Sequence, residues 1–198
     1  MSKQKQNPRG EKIQIVAFST DETEHNPNDL INIYLENNNH LIIKKTSLAT
    51  AFTTTLPNTS KQTKIMICSV LNLTKEYTGI NDVNCYLLYV DLEKEDSKQK
   101  LDYILNYVKE NCNLEKKIFV FGMVTKEDNE KYITEEDIKR YLENLQIVYQ
   151  YRQLNVKQNK DICNSLKEVF SYSLSNPISN MNMAKDKDDE KDGSCLIF

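Results

Sequence analysis

Short apolar runs with strand character alternate along this chain with segments whose apolar residues recur at helical spacing. The clearest run is 117–124, Lys-Ile-Phe-Val-Phe-Gly-Met-Val, which is apolar at almost every position and so predicts a strand buried on both faces. Strands of this kind belong to parallel sheets, because helices cover both faces of such a sheet. The alternation therefore predicts an α/β fold.

The predicted sheet has six strands, and four helices accompany them. The strands lie at 12–18, 41–55, 64–71, 85–90, 117–124 and 146–149, and the helical stripes lie within 30–35, 101–108, 138–145 and 162–170. No helix separates the second strand from the third, and Pro57-Asn58 between them marks a turn. We therefore expect a three-layer α/β domain with a six-stranded, mostly parallel sheet and one antiparallel edge strand.

Composition defines the ends of this domain. Residues 1–10 are polar and are expected to be disordered, residues 11–172 form the predicted domain, and residues 173–198 form a flexible tail. A net charge of −3 argues against nucleic acid as the main partner. No apolar run approaches the roughly 18 residues that span a bilayer, and no secretory leader is expected.

The last four residues, Cys-Leu-Ile-Phe, have the pattern that prenyl transferases recognise, and a terminal Phe favours geranylgeranyl. Cys195 is therefore the predicted lipidation site, although a chance ending is the competing interpretation. The run 185–192 before it holds three lysines and five acids, so it lacks the basic patch that strengthens such anchors. One lipid chain gives reversible attachment. We expect a protein on the cytoplasmic face of a membrane that cycles with the cytosol.

A domain with this order of elements, followed by a tail that ends in a prenylation pattern, resembles a small GTPase of the Ras superfamily, of the Ras and Rab kind. Residues 84–97 are similar to that family's fourth strand and the loop after it, and the likeness covers about residues 11–172. The resemblance implies a Ras-like domain of the P-loop NTPase type. It implies protein effectors or a prenyl-binding carrier as partners.

The guanine-binding half of the family's site has counterparts here. Residues 125–128, Thr-Lys-Glu-Asp, follow an apolar strand and fit the family's pattern Asn/Thr-Lys-x-Asp, in which the carboxylate binds the guanine edge and the lysine stem lies over the base. Residues 155–157 follow the next strand, where the family has a second guanine-contacting loop. An ordinary charged loop is the competing interpretation of residues 125–128. The candidate guanine-binding residues are Thr125, Lys126, Asp128, Asn155, Val156 and Lys157.

The phosphate-binding half differs from the family's pattern. Residues 17–29 stand where the family has its phosphate loop, yet they contain no glycine and no lysine. Glycines let consecutive backbone N–H groups close on the phosphates, and a lysine neutralises their charge. Four acidic residues here would repel a triphosphate instead. The candidate residues of a degenerate phosphate loop are Ser19, Thr20 and Thr23.

The family's metal-binding and water-positioning pattern, Asp-x-x-Gly-Gln, should follow the third strand. Residues 69–73 stand in that place and contain neither an acid nor a glycine. Thr46, counted from Leu30, corresponds to the family's switch threonine. We therefore expect guanine nucleotide, where it binds, to lack a well-formed Mg²⁺ site, and hydrolysis to be weak or absent. His25 and His40 lack ligand partners at metal spacing, so no metal site is predicted.

Three functional hypotheses remain open. The first is a divergent, prenyl-anchored Ras/Rab-like protein that acts by partner binding in trafficking or signalling, with lost or very weak GTPase activity. The second is an active GTP-binding switch with a non-standard phosphate loop. The third is an unrelated lipid-anchored α/β binding module that shares only the architecture.

Overall fold

The computed structural model describes residues 11–20, 26–38, 40–56, 62–70, 73, 80–113, 115–126, 129–145 and 149–174. The strands are β1 Lys12–Ser19, β2 Leu41–Lys45, β3 Ala49–Thr55, β4 Gln62–Val70, β5 Cys85–Asp91, β6 Lys117–Val124 and β7 Tyr149–Asn155. The helices are α1 Pro27–Asn38, α2 Ser97–Asn111, α3 Glu135–Asn144 and α4 Asn159–Leu174. The fold class is α/β, as predicted. Helix α4 includes the first two residues of the predicted tail.

The seven described strands form one sheet in the order β2-β3-β4-β1-β5-β6-β7. Strands β4, β1, β5, β6 and β7 pair in parallel, whereas β3 runs antiparallel to both of its neighbours. This arrangement is compatible with a Rossmann-like or P-loop-like architecture. The prediction of six strands was wrong by one, and the antiparallel strand is second from the edge.

The extra strand arises because the stretch 41–55, predicted as one strand, turns at Thr46. The Thr46 hydroxyl accepts hydrogen bonds from the backbone N–H groups of Leu48 and Ala49 at 3.3 and 2.9 Å. The Thr46 N–H donates to the Ala49 carbonyl at 2.8 Å. A hydroxyl that binds backbone two and three residues ahead reverses the chain, so the stretch folds into the β2–β3 hairpin.

Strand β7 begins at Tyr149, where the predicted strand ended, and residues 146–148 lie outside the described part of the chain. Its polar residues are held by α4. Arg152 forms ion pairs with Asp161 at 3.0 Å and Glu168 at 2.5 Å, and the Gln150 amide donates to Glu168 at 2.7 Å. The hydrophobic pattern ended this strand too early, at Tyr149, because residues 150–155 are mostly polar and their contacts come from a helix later in the sequence.

Two apolar layers enclose the sheet. Helices α1 and α4 contribute to one layer, and α2 and α3 contribute to the other. Strand β5 shows the alternation, since Leu87 and Tyr89 belong to the first layer while Leu88 and Val90 belong to the second. All of β5 and β6 is buried, as expected for central strands of a parallel sheet.

Side-chain caps fix the starts of two helices. At α1, the Asn26 side-chain oxygen accepts hydrogen bonds from the N–H groups of Asn28 and Asp29 at 2.9 and 3.2 Å. At α3, Thr134 and Asp137 form a reciprocal capping box. Both caps have local sequence signatures, since Asn26 precedes Pro27 and Thr134 stands three residues before the acid Asp137. The α1 cap places the first turn of that helix beside the carboxyl ends of the parallel strands.

His40 lies against an aromatic cluster between α1 and β3. Its ring stacks on Tyr34 with centroids 4.9 Å apart, and its Nε2 atom lies 3.4 Å from the Thr54 hydroxyl. Partial burial, together with the nearby Lys167, lowers the pKa of His40 below its ordinary value. The folded protein therefore disfavours a protonated His40.

We expect the stability contributed by neutral His40 to be complete above the ordinary histidine pKa of about 6.5 and to fall as the pH drops below it. The reason is that the unfolded chain binds the proton more readily than the folded chain. Denaturant unfolding at pH 7.5 and 5.5 measures the effect. The wild-type protein should lose more stability than His40→Phe between these values, and equal losses would contradict the assignment.

Candidate functional site

The carboxyl edge of the parallel strands carries most of the candidate residues. Ser19 ends β1 and Thr20 follows it, Thr125 and Lys126 follow β6, and residues 155–157 end and follow β7. Ligands of open α/β sheets bind at this edge. Thr23, Asp128 and Cys195 lie outside the described residues.

The two candidate guanine-binding segments are neighbours in space. Strands β6 and β7 pair in parallel as far as Val124 and Asn155. The Val156 N–H then donates to the Val124 carbonyl at 2.9 Å, which continues the ladder past the end of β7. Thr125 and Lys126 therefore lie beside residues 155–157.

Glu93, which sequence reasoning did not single out, organises the turn after β6. One of its carboxylate oxygens accepts hydrogen bonds from the backbone N–H groups of Thr125 and Lys126 at 3.0 and 3.5 Å and from the Asn129 amide at 2.9 Å. The other oxygen accepts from the Thr125 hydroxyl at 2.7 Å. Glu93 thus fixes the start of the segment that carries the guanine-binding pattern.

The charge of Glu93 is stabilised where it lies. Partial burial by itself raises the pKa of Glu93, but the hydrogen bonds from Thr125, Asn129 and Lys126 outweigh it and lower that pKa below its ordinary value. The sequence held one signal for this residue, because an acid two positions beyond a buried central strand falls at the sheet edge where β6 also ends. Its partners, however, lie more than 30 residues further along the chain.

The turn after β7 is fixed by α4. Asp161, in the first turn of α4, accepts a hydrogen bond from the Asn155 N–H at 2.8 Å, and the Asn155 side chain accepts one from the Lys157 N–H at 3.0 Å. Val156 is buried in the core, whereas Lys126 and Lys157 are exposed. The two adjacent turns therefore present two lysines to solvent.

Thr20, a candidate of the degenerate phosphate loop, lies in the protein interior. It is 1% exposed, and its hydroxyl accepts a hydrogen bond from the Asp91 N–H at 2.9 Å and lies 3.4 Å from the Ser97 hydroxyl. Its own N–H donates to the Tyr89 carbonyl at 2.9 Å. Thr20 therefore joins the ends of β1 and β5 to the start of α2, which does not favour a contact with phosphate.

Asn28, also missed from the sequence, connects three elements at this edge. Its side-chain oxygen accepts a hydrogen bond from the Ser69 hydroxyl on β4 at 3.0 Å. Its side-chain amide donates to the Ser47 carbonyl in the β2–β3 turn, also at 3.0 Å. The start of α1, the hairpin turn and the end of β4 are thus joined by neutral hydrogen bonds.

No group of three or more His, Cys, Asp or Glu side chains among the described residues could hold a metal ion. None of the four described helices combines the length and the apolar character needed to cross a bilayer.

Comparison with known proteins adds no family. No protein-family model matches the chain, and no curated protein matches it significantly. Fold and site together define the class: an α/β protein with a mostly parallel seven-stranded sheet and a hydrogen-bonded polar cluster at the carboxyl edge of its strands.

Proposed function

We propose that this chain is a divergent small G protein of the Ras and Rab kind that is anchored by a prenyl group on Cys195. It acts on the cytoplasmic face of a membrane by binding protein partners, in trafficking or signalling, and its GTP hydrolysis is weak or absent. Any guanine nucleotide that it holds lacks a well-formed Mg²⁺ site. Support comes from the order of elements, the tail pattern and the polar edge of the sheet.

The Asn28 bridge is the observation that carries the proposal. Counted back from Leu30, Asn28 stands where the family has the Mg²⁺-binding hydroxyl of its phosphate loop, and Ser69 stands where it has the metal-side aspartate. Mg²⁺ requires hard oxygen ligands, commonly carboxylates. Here an amide and a hydroxyl bind each other directly at 3.0 Å. This direct bond supports a domain in which the β2–β3 turn is held in place without a metal ion or a triphosphate.

We expect Asn28→Ala to lower the free energy of unfolding by about 1–2 kcal/mol, because it removes both bridging bonds and leaves the hydroxyl of Ser69, a residue that is 1% exposed, without its acceptor. Denaturant unfolding measures the loss. Asn37→Ala is the matched control, since within the described part of the chain the amide of exposed Asn37 donates to the Ile33 carbonyl alone, on the same helix. Equal effects of the two substitutions would contradict a special role for Asn28.

A second candidate function, the active GTP-binding switch, is favoured by the adjacency of the turns after β6 and β7. Both turns are fixed by carboxylates, Glu93 and Asp161, and each exposes a lysine. The third candidate, an unrelated binding module, is supported by architecture alone.

Calorimetric titration of the full chain with GTP and with GDP, each with and without Mg²⁺, distinguishes these candidates. The proposed function predicts no tight binding that depends on Mg²⁺. Asp128→Ala is the control, because it removes the candidate acceptor for the guanine edge. Micromolar or tighter binding of Mg²⁺ and GTP that Asp128→Ala abolishes would establish the second candidate instead.

A further inference from the structure

Strand β2 is an exposed edge of the sheet. Among the described strands it pairs with β3 alone, so the backbone groups along its other side have none of these strands beside them. Ile42 and Ile43 are 45% and 48% exposed, and Lys44 and Lys45 are exposed as well. Adjacent exposed isoleucines on an open edge mark a surface where another strand can add. We call residues 42–45 the β2 edge.

A bulge shapes the β2 edge. Ile42 pairs with Phe52 and Lys44 with Ala51, so Ile43 is an extra residue without a partner on β3. Bulges increase the local twist and redirect the side chains around them. The β2 edge therefore presents apolar side chains although its strand is short.

The β2 edge continues into a basic stripe. By the strand register, Lys44 shares a face of the sheet with Met66 and hence with Lys64, two residues earlier. Lys64 pairs directly with Lys12. Lys45 lies on the opposite face, and all four lysines are exposed. None of them has an ion-pair partner among the described residues.

We propose that the β2 edge binds an extended acidic segment of a partner protein, which adds an eighth strand to the sheet. Main-chain hydrogen bonds along the edge supply affinity, the two isoleucines supply apolar contact, and the lysines supply charge complementarity. The same lysines disfavour pairing with a second copy of β2, because like charges would then lie close together. The β2 edge lies far from the candidate guanine-binding turns, since β2 and β7 form opposite edges of the sheet and β6 lies next to β7.

The test uses the full chain and two fluorescent peptides, one of five Glu-Val repeats and one of five Lys-Val repeats. Anisotropy titration should show the acidic peptide binding at least tenfold more tightly. Amide exchange at residues 41–45 should slow only when that peptide is present. Double reversal of the edge lysines, Lys44→Glu with Lys45→Glu, should invert the preference. The reversal Lys98→Glu with Lys109→Glu, on exposed positions of α2, changes the net charge equally and should leave the preference intact.

Four results would overturn this assignment. Equal affinity for the two peptides would show that the lysines do not select an acidic partner. An unaltered preference in the Lys44→Glu with Lys45→Glu variant would show that the peptide binds elsewhere. Sedimentation equilibrium that shows a dimer lost on Ile42→Thr with Ile43→Thr would assign the edge to a second copy of the chain. Tighter peptide binding after the five acids of residues 185–192 are neutralised would assign it to the chain's own tail.

Discussion

Cys195→Ser is expected to move the protein from the membrane fraction to the soluble fraction. The thiol is the proposed attachment point of the prenyl group, and each buried CH₂ of such a chain contributes about 0.8 kcal/mol to membrane binding. Because no basic patch supports the lipid, its loss should lower membrane partitioning by on the order of tenfold to a hundredfold. Fractionation of cells that express the full chain measures the change.

Two variants control this result. Ser194→Ala changes the neighbouring residue, keeps the thiol, and should leave the membrane fraction as it is. Phe198→Ser should replace geranylgeranyl by farnesyl, which intact mass spectrometry detects, because the last residue selects the lipid. A membrane fraction that persists in Cys195→Ser would exclude the proposed anchor.

Gly122→Ala is expected to destabilise the folded protein by about 2 kcal/mol or more. A Cβ atom at Gly122 would lie 2.9 Å from Tyr151 Cζ and closer still to the Tyr151 hydroxyl, with Leu92 Cδ1 at 3.1 Å on the other side. Overpacking of this kind forces side chains out of their rotamers and shifts backbone, and β6 is buried along its whole length. Denaturant unfolding measures the loss.

A double-mutant cycle separates this clash from a general effect on β6. In a Tyr151→Leu background, Gly122→Ala should cost less than half as much, because the colliding ring is gone. Tyr151→Phe by itself should be close to neutral. Burial raises the pKa of Tyr151 to about 12, and among the described residues its buried hydroxyl has no hydrogen-bond partner to lose. A full cost in the Tyr151→Leu background would show that the clash is not the cause.

The elements that sequence predicted well are those set by local pattern. The apolar run of β6 and the caps at Asn26 and Thr134 depend on neighbouring residues, so they could be read in order along the chain. The turn at Thr46 was not predicted, because the residues on both sides of it have sequences typical of strands. Its cause is a single hydroxyl that bonds within the next three residues.

The polar contacts of the site could not be predicted, because they join residues far apart in the sequence. Glu93 and Thr125 are 32 positions apart, and Asn28 and Ser69 are 41 positions apart. The periodic pattern of apolar residues in a sequence does not indicate such pairings. Sequence identified the segments at the carboxyl edge through the Ras-like resemblance, while the structure shows which side chains bind one another there. Thr20 is the clearest case, since its hydroxyl accepts a hydrogen bond from Asp91 in β5 and lies close to the Ser97 hydroxyl in α2.

The neutral bridge has a consequence for regulation. A metal-held turn can be released when the triphosphate is lost, whereas the Asn28 bonds need no ligand to form. The proposed protein would therefore present the same hairpin to its partners in every nucleotide condition. Partner binding would then be controlled by membrane attachment and by the concentration of the partners.

Amide hydrogen exchange of the full chain tests most directly whether the β2–β3 hairpin is held in the same way with and without nucleotide. Exchange is measured with Mg²⁺ and GTP, with Mg²⁺ and GDP, and without nucleotide, over residues 26–31, 46–51 and 66–70. We expect the same rates in all three conditions, because Asn28 joins these segments without a ligand. Slower exchange in any of these segments with Mg²⁺ and GTP, but not in the other two conditions, would show a working nucleotide switch and contradict a ligand-independent hairpin.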